Sequence, residues 1–144
     1  MERAKSYLME HGITILQDEV IEVAWITIIG RDDISATRFG RHRADLAELA
    51  HSLDKKKPLI LLDHQPKKLA EAQKNGIDIQ FSGHTHNGQL WPLNLIVAKL
   101  FELPMGYKKK GQTHIFVSAG VGTWGPPVRT NARPDILFVT VEFQ

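Results

Sequence analysis

The spacing of apolar side chains divides the chain into alternating helices and strands. Residues 2–11 are good helix formers and stop at Gly12, a residue suited to the left-handed turn that closes a helix. The β-branched stretches 13–16 and 20–29 flank the polar Gln17-Asp18-Glu19, which predicts a hairpin. Over 40–53, Leu46, Ala47, Leu49, Ala50 and Leu53 share one face at helical spacing. Leu59-Ile60-Leu61-Leu62 is an unbroken apolar run, the pattern of a strand covered on both sides. Pro66 suits the first position of a helix that continues over 67–74 until Asn75-Gly76 ends it. A further strand over 77–81 runs straight into Ser82-Gly83-His84-Thr85-His86. Residues 90–103 are apolar but interrupted by Pro92, with Pro104 just beyond, and receive no regular assignment. Lys108-Lys109-Lys110 reads as a basic turn. Stretches 114–118 and 136–143 read as closing strands, joined by a loop rich in glycine and proline.

Strand, helix and strand in that order imply a right-handed parallel unit, so His64 and His84 should emerge at the same edge of one sheet. That edge is where α/β sheets hold ligands. Gly83-His84-Thr85-His86 places two imidazoles two residues apart on a tight turn, and a two-metal hydrolytic centre needs ions about 3.5–4 Å apart. Neighbouring ligands on one loop reach both ions, with His64 as a third ligand. One such histidine is ordinarily a loop residue; three at neighbouring strand ends are hard to explain as surface decoration.

Composition narrows the remaining chemistry. The 144 residues suffice for one domain, and a net charge of +2, from 18 basic against 16 acidic side chains, gives no indication of nucleic acid. The absence of cysteine excludes disulfides and thiolate metal sites, leaving imidazole, carboxylate and amide oxygen as donors, and there are seven histidines. The longest apolar run, around 23–30, is well short of the roughly 20 residues that cross a bilayer, and the N-terminus lacks an apolar leader. The chain as it stands reads as soluble.

Four segments together resemble the calcineurin-like metallophosphoesterase superfamily, in particular its bacterial, often membrane-associated branch. They are Gly30-Arg31-Asp32-Asp33, Asp63-His64-Gln65-Pro66, the run from Ser82 to Gln89, and Ser118-Ala119-Gly120-Val121-Gly122-Thr123-Trp124-Gly125-Pro126-Pro127-Val128-Arg129. The resemblance implies an α/β fold, the C-terminal half of a two-sheet sandwich flanked by helices, and places all of 1–144 in that half. By the same resemblance His64 and His84 ligate one divalent ion and His86 a second, manganese, iron or zinc, at a centre that hydrolyses a phosphate ester. Asn87 stands where relatives often have glycine, and is assigned to the substrate side.

The family's other ligands, an Asp-x-His pair, a bridging aspartate and a Gly-Asn-His motif, belong to an N-terminal half and do not occur here. A helix like 2–11 follows soon after that last motif, so Met1 reads as an artificial or truncated start. The expectation is therefore a half site, inactive alone, with partial or no metal occupancy. Its partner would be the missing N-terminal half, or a second copy of the chain covering the bare sheet. The alternative is a noncatalytic binding or structural module that keeps the fold.

Other features carry less. Asp32-Asp33 reads as a cap or turn. Arg129 is assigned either to a substrate phosphate or to a surface salt bridge. His11, His42, His51 and His114 receive no role. Residues 90–110, apolar with Trp91 and followed by three lysines, are weighed between core packing and contact with an anionic membrane surface.

Overall fold

A computed structural model describes residues 2–131 and 133–142. Helix α1 (Glu2–Glu10) ends as expected at Gly12, whose φ is 76°. The amides of Gly12 and Ile13 donate to Met9 and Leu8, which satisfies carbonyls the helix leaves open.

The predicted hairpin is displaced. Residues 13–16 form no strand, and the hairpin lies inside the stretch read as one strand: β1 (Glu19–Val23) pairs antiparallel with β2 (Ile26–Gly30) around Ala24, at φ 55°. Leu16 instead crosses Gly30, where any Cβ would fall inside its side chain. A 3₁₀ turn (Ile34–Phe39) follows, closed by Gly40. The predicted helix over 40–53 shrinks to α2 (Leu46–Ala50). Upstream, Arg41 reaches back to Asp32 and Arg43 forward to Asp63, and these pairings hold 41–45 out of regular structure, with Asp45 extended at φ −70° and ψ 141°. Leu46, Leu49, Ala50 and Leu53 do face the core, whereas Ala47 is exposed.

Strand β3 (Leu59–Leu62) is followed by α3 (Leu69–Lys74), which begins later than expected because Lys68 is left-handed and Pro66 is packed inside. Asn75-Gly76 ends it as predicted. After β4 (Ile79–Ser82) comes α4 (Leu93–Leu100), in the segment that had no assignment. The three lysines are not a turn. They belong to β5 (Gly106–Lys110), which turns at Gly111 into β6 (Thr113–Val117). Alternation along β5 sends Lys108 and Lys110 to one face, where both pair with Glu102 at 2.9 and 2.7 Å.

The six strands run in the order β1-β2-β3-β4-β6-β5. The four inner strands are parallel, and each outer strand is antiparallel to its neighbour. On one face Ile29, Leu59, Leu61 and Ile77 pack with Leu46, Ala50 and Ala72 of α2 and α3, while Ile115 and Val117 pack with Leu69 and Leu103. Each such side chain contributes about 1.5–3 kcal/mol by leaving water. The opposite face is partly bare. Its row Leu62, Phe81, Phe116 and Tyr107 is in register across four strands, and the two ends of that row are 41% and 53% exposed.

Described residues 136–142 do not form the expected strand, and Phe143 lies outside the described residues. The far side of β6 is already taken by β5, so no neighbouring ladder is open there, and Ile136 and Phe138 stay exposed. No described helix is long and apolar enough to cross a membrane.

Candidate metal centre

The register of β3 on β4 sets Leu62 beside Phe81, so the two chains leave the sheet together. Asp63 N donates to Phe81 O and Gly83 N to His64 O, which extends the ladder past both strand ends. The outcome is the juxtaposition expected from topology: His64 Nε2 and His84 Nδ1 are 3.3 Å apart with their rings edge to face. Two nitrogens each about 2.0–2.1 Å from one ion, at tetrahedral to octahedral angles, lie about 2.8–3.4 Å apart. The pair fits a shared divalent ion. The same separation is a hydrogen bond when one ring carries the proton. Among the described residues no three His, Asp or Glu side chains are placed to hold one ion.

Burial, and then the neighbouring His64, lower the pKa of His84, with Asp33 opposing. His84 is thereby biased toward the neutral form that a ligand requires. The loop carrying these imidazoles is strained: His84, His86, Asn87 and Gln89 all have positive φ, at 69°, 47°, 47° and 42°. Each non-glycine residue there costs about 1–2 kcal/mol, and such strain gathers at functional sites. Asparagine tolerates this conformation better than most, which accounts for Asn87 at a glycine-like position.

His86 lines the same cavity as His64 and His84 and has its own polar neighbour. Its Nδ1 lies 3.2 Å from Arg129 Nη2, an atom that also donates to the carbonyls of Ala119, Gly120 and Gly122. Among the described residues Arg129 therefore makes no surface salt bridge; it is wedged between the histidine loop and its own loop. Its Nε and Nη1 are buried without a hydrogen-bond partner among the described residues. Asn87 contributes its backbone carbonyl to the Asn131 side chain, at 2.7 Å.

Around the pair, Asp33 caps the 3₁₀ turn by accepting from Ser35 N, and also accepts from Gln65. Burial raises its pKa, but the Ser35 and Gln65 hydrogen bonds and His64 outweigh that and leave it lowered. Capping is thus the structural role of this aspartate, as its position after a strand suggested. Behind His64, Asp63 meets Arg43 at 2.6 Å and Arg31 at 3.4 Å. Burial nonetheless pushes the Asp63 carboxyl above its ordinary range.

Sequence reasoning assigned no role to Gln89. Only 3% exposed, its side chain accepts from Trp124 N at 2.6 Å and donates to Trp124 O at 2.7 Å and Pro126 O at 3.3 Å. Its backbone carbonyl accepts from Thr130 and Asn131. Gln89 thus clamps the glycine-rich loop, and with it Trp124 and Arg129, against the histidine turn. The one local signal was a glutamine directly after Asn87-Gly88, too short a cue to reveal partners 35 residues away.

The chain is 36% identical to a protein of Aquifex aeolicus named an uncharacterized metallophosphoesterase, over 99% of this chain and 56% of that protein. A Helicobacter pylori protein of the same name is also 36% identical, over 93% of this chain and 37% of its own length. A zebrafish (Danio rerio) protein, named a transmembrane protein with metallophosphoesterase domain, is 32% identical over 82% of this chain and 28% of its own. The chain thus spans about half or less of the length of these curated relatives. No family model matches the chain, and no solved structure matches it.

Proposed function

The chain belongs to the metallophosphoesterase superfamily, and from that membership we propose that it is the histidine-bearing C-terminal half of a metal-dependent phosphoesterase. The observation that carries this reading is the 3.3 Å approach of His64 Nε2 to His84 Nδ1 at the ligand edge of the sheet. In the proposal His64 and His84 hold one divalent ion and His86 contributes to a second, with manganese, iron or zinc suited to imidazole donors. Bound there, such ions neutralise phosphoryl charge and acidify water for attack on phosphorus. Arg129, with two unpartnered donors, holds a phosphoryl oxygen, and Asn87 borders it on the same strained turn.

Two imidazoles leave most of a coordination shell unfilled, so carboxylate and amide ligands come from an N-terminal half in this reading. That half has a place to pack: the partly bare sheet face bearing Leu62, Phe81, Phe116 and Tyr107. The sheet edges suit a partner less well. β1 carries Glu19 and Glu22 and β5 carries three lysines, and edge charges discourage strand addition.

The chain alone should bind manganese weakly and hydrolyse an aryl phosphate negligibly, and adding the N-terminal half should restore turnover. His84→Ala should then remove at least about a hundredfold of that activity, as loss of an ion ligand does. Turnover by the chain alone that His84→Ala abolishes would contradict the half-site reading. Silence of the reassembled protein on mono- and diesters would favour the noncatalytic module.

A further inference from the structure

The imidazole pair stands at the junction of two unlike compartments. One, about 480 Å³, is lined by His64, His84 and His86 together with the apolar Leu90, Leu93, Val97 and Trp124. The second, about 500 Å³, contains the same His64 and His84 but is otherwise walled by Ser35, Thr37, Arg38, Gln65 and Lys67, with Asp33 and Ile34. Both volumes lie in the range of small-molecule sites. Apolar character continues outward from the first compartment. Helix α4 buries none of its residues, and its Leu93 is 40% exposed, beside a Trp124 that is 69% exposed.

We propose, resting on the phosphoesterase reading, that the substrate is an amphiphilic phosphodiester or diphosphate. Its phosphoryl group sits at the histidines, its alkyl or acyl chain lies along Leu93, Val97 and Trp124, and its anionic or hydroxyl-rich group lies against Arg38 and Lys67. Hydrolysis adds water across one P–O bond: the hydroxyl goes to phosphorus, the proton to the departing oxygen, and no redox partner is needed. A simple phosphomonoester would leave one compartment empty, whereas a diester with two polar arms would set a polar group against three aliphatic side chains and an indole. The sharing of His64 and His84 by both walls selects a molecule with one arm of each kind.

The test uses the manganese-loaded protein carrying both halves and a series of alkyl phosphoglycerols with two to eight carbons in the alkyl arm. Burial of one methylene is worth about 0.8 kcal/mol, or roughly fourfold. We expect kcat/KM to rise at least about twofold per carbon until the compartment is full, and Leu93→Asn, or Val97→Asn if the first fails to fold, to flatten that slope. Arg38→Ala with Lys67→Ala should lower the whole series without changing the slope. Binding is followed separately by the emission of Trp124 in a Trp25→Phe, Trp91→Phe background, where affinity should rise with the same slope.

A flat series with good turnover of every member overturns the amphiphile while the phosphoesterase reading stands. No turnover of any member, with Trp124 still reporting chain-length-dependent binding, overturns the hydrolase and keeps the ligand class. Trp124 shielded from acrylamide before ligand is added means that protein fills the apolar compartment, and the inference falls.

Discussion

Replacing Gln89 by alanine tests whether the glycine-rich loop is held by one buried side chain. The substitution removes three hydrogen bonds, to Trp124 N, Trp124 O and Pro126 O. Each is worth about 0.5–1.5 kcal/mol net, but the freed groups lie on an exposed loop where water replaces part of the loss. The expected cost is therefore about 1–3 kcal/mol, below the simple sum. For a domain of this size that lowers Tm by roughly 3–10 °C, measured by calorimetry or circular dichroism. Hydrogen exchange localises the effect. The Trp124 amide should lose protection, whereas Thr130 and Asn131, which donate to the Gln89 backbone carbonyl, should keep theirs. Gln89→Glu sharpens the test, because it keeps volume and acceptor but turns a carboxylate toward two carbonyls; it should cost at least as much as alanine. A Tm change under about 1 °C with Trp124 protection unaltered would refute the clamp.

Gly12 and Gly88 have nearly the same φ, 76° and 75°, yet alanine should behave differently at each. At Gly12 a Cβ meets open space, so the cost is the left-handed backbone alone, about 1–2 kcal/mol, whereas at Gly88 it falls inside the backbone of Asn94 and denaturant unfolding should show more than about 3 kcal/mol. If the protein with both halves is the proposed phosphoesterase, Arg129→Ala should weaken its inhibition by inorganic phosphate at least about tenfold, since one charge-assisted hydrogen bond is worth about 1.5–3 kcal/mol. An unchanged inhibition constant would remove Arg129 from the phosphate site. Hydrogen bonds from Lys108 and Lys110 hold the Glu102 carboxyl below its usual range. Its stabilisation is thus present above the unfolded pKa and lost as pH falls through the lowered folded value. Glu102→Gln should shrink the acid-side loss of stability by under about 1 kcal/mol, because the group is exposed.

What the sequence alone determined is what depends on near neighbours. The end of α1 at Gly12 and of α3 at Gly76 follows from the conformation those positions require, which few other residues accept. β3 is recognisable from its continuous apolar run, although Leu62 is 41% exposed where a strand covered on both sides was expected; β4 follows with Ile79 and Phe81 alternating with Gln80 and Ser82, and a parallel crossover of fixed handedness is enough to bring His64 and His84 to one edge. That juxtaposition was legible because it needs only topology.

Tertiary structure decided whatever depends on what lies across the sheet or the cleft. Residues 136–142 have strand-like composition but find no open ladder beside β6, while the lysines read as a turn become β5 because β6 offers them one. Arg41 and Arg43 shorten α2 by pairing with aspartates 9 and 20 residues away, which no helical period contains. His86 shares a tight turn with His84, but its contact with Arg129, 43 residues distant, is recorded in no local spacing. Gln89 became the loop's anchor for the same reason. A periodic pattern records which side of an element is apolar, but hydrogen-bond partners far along the chain exist only once the sheet has set the distance between them.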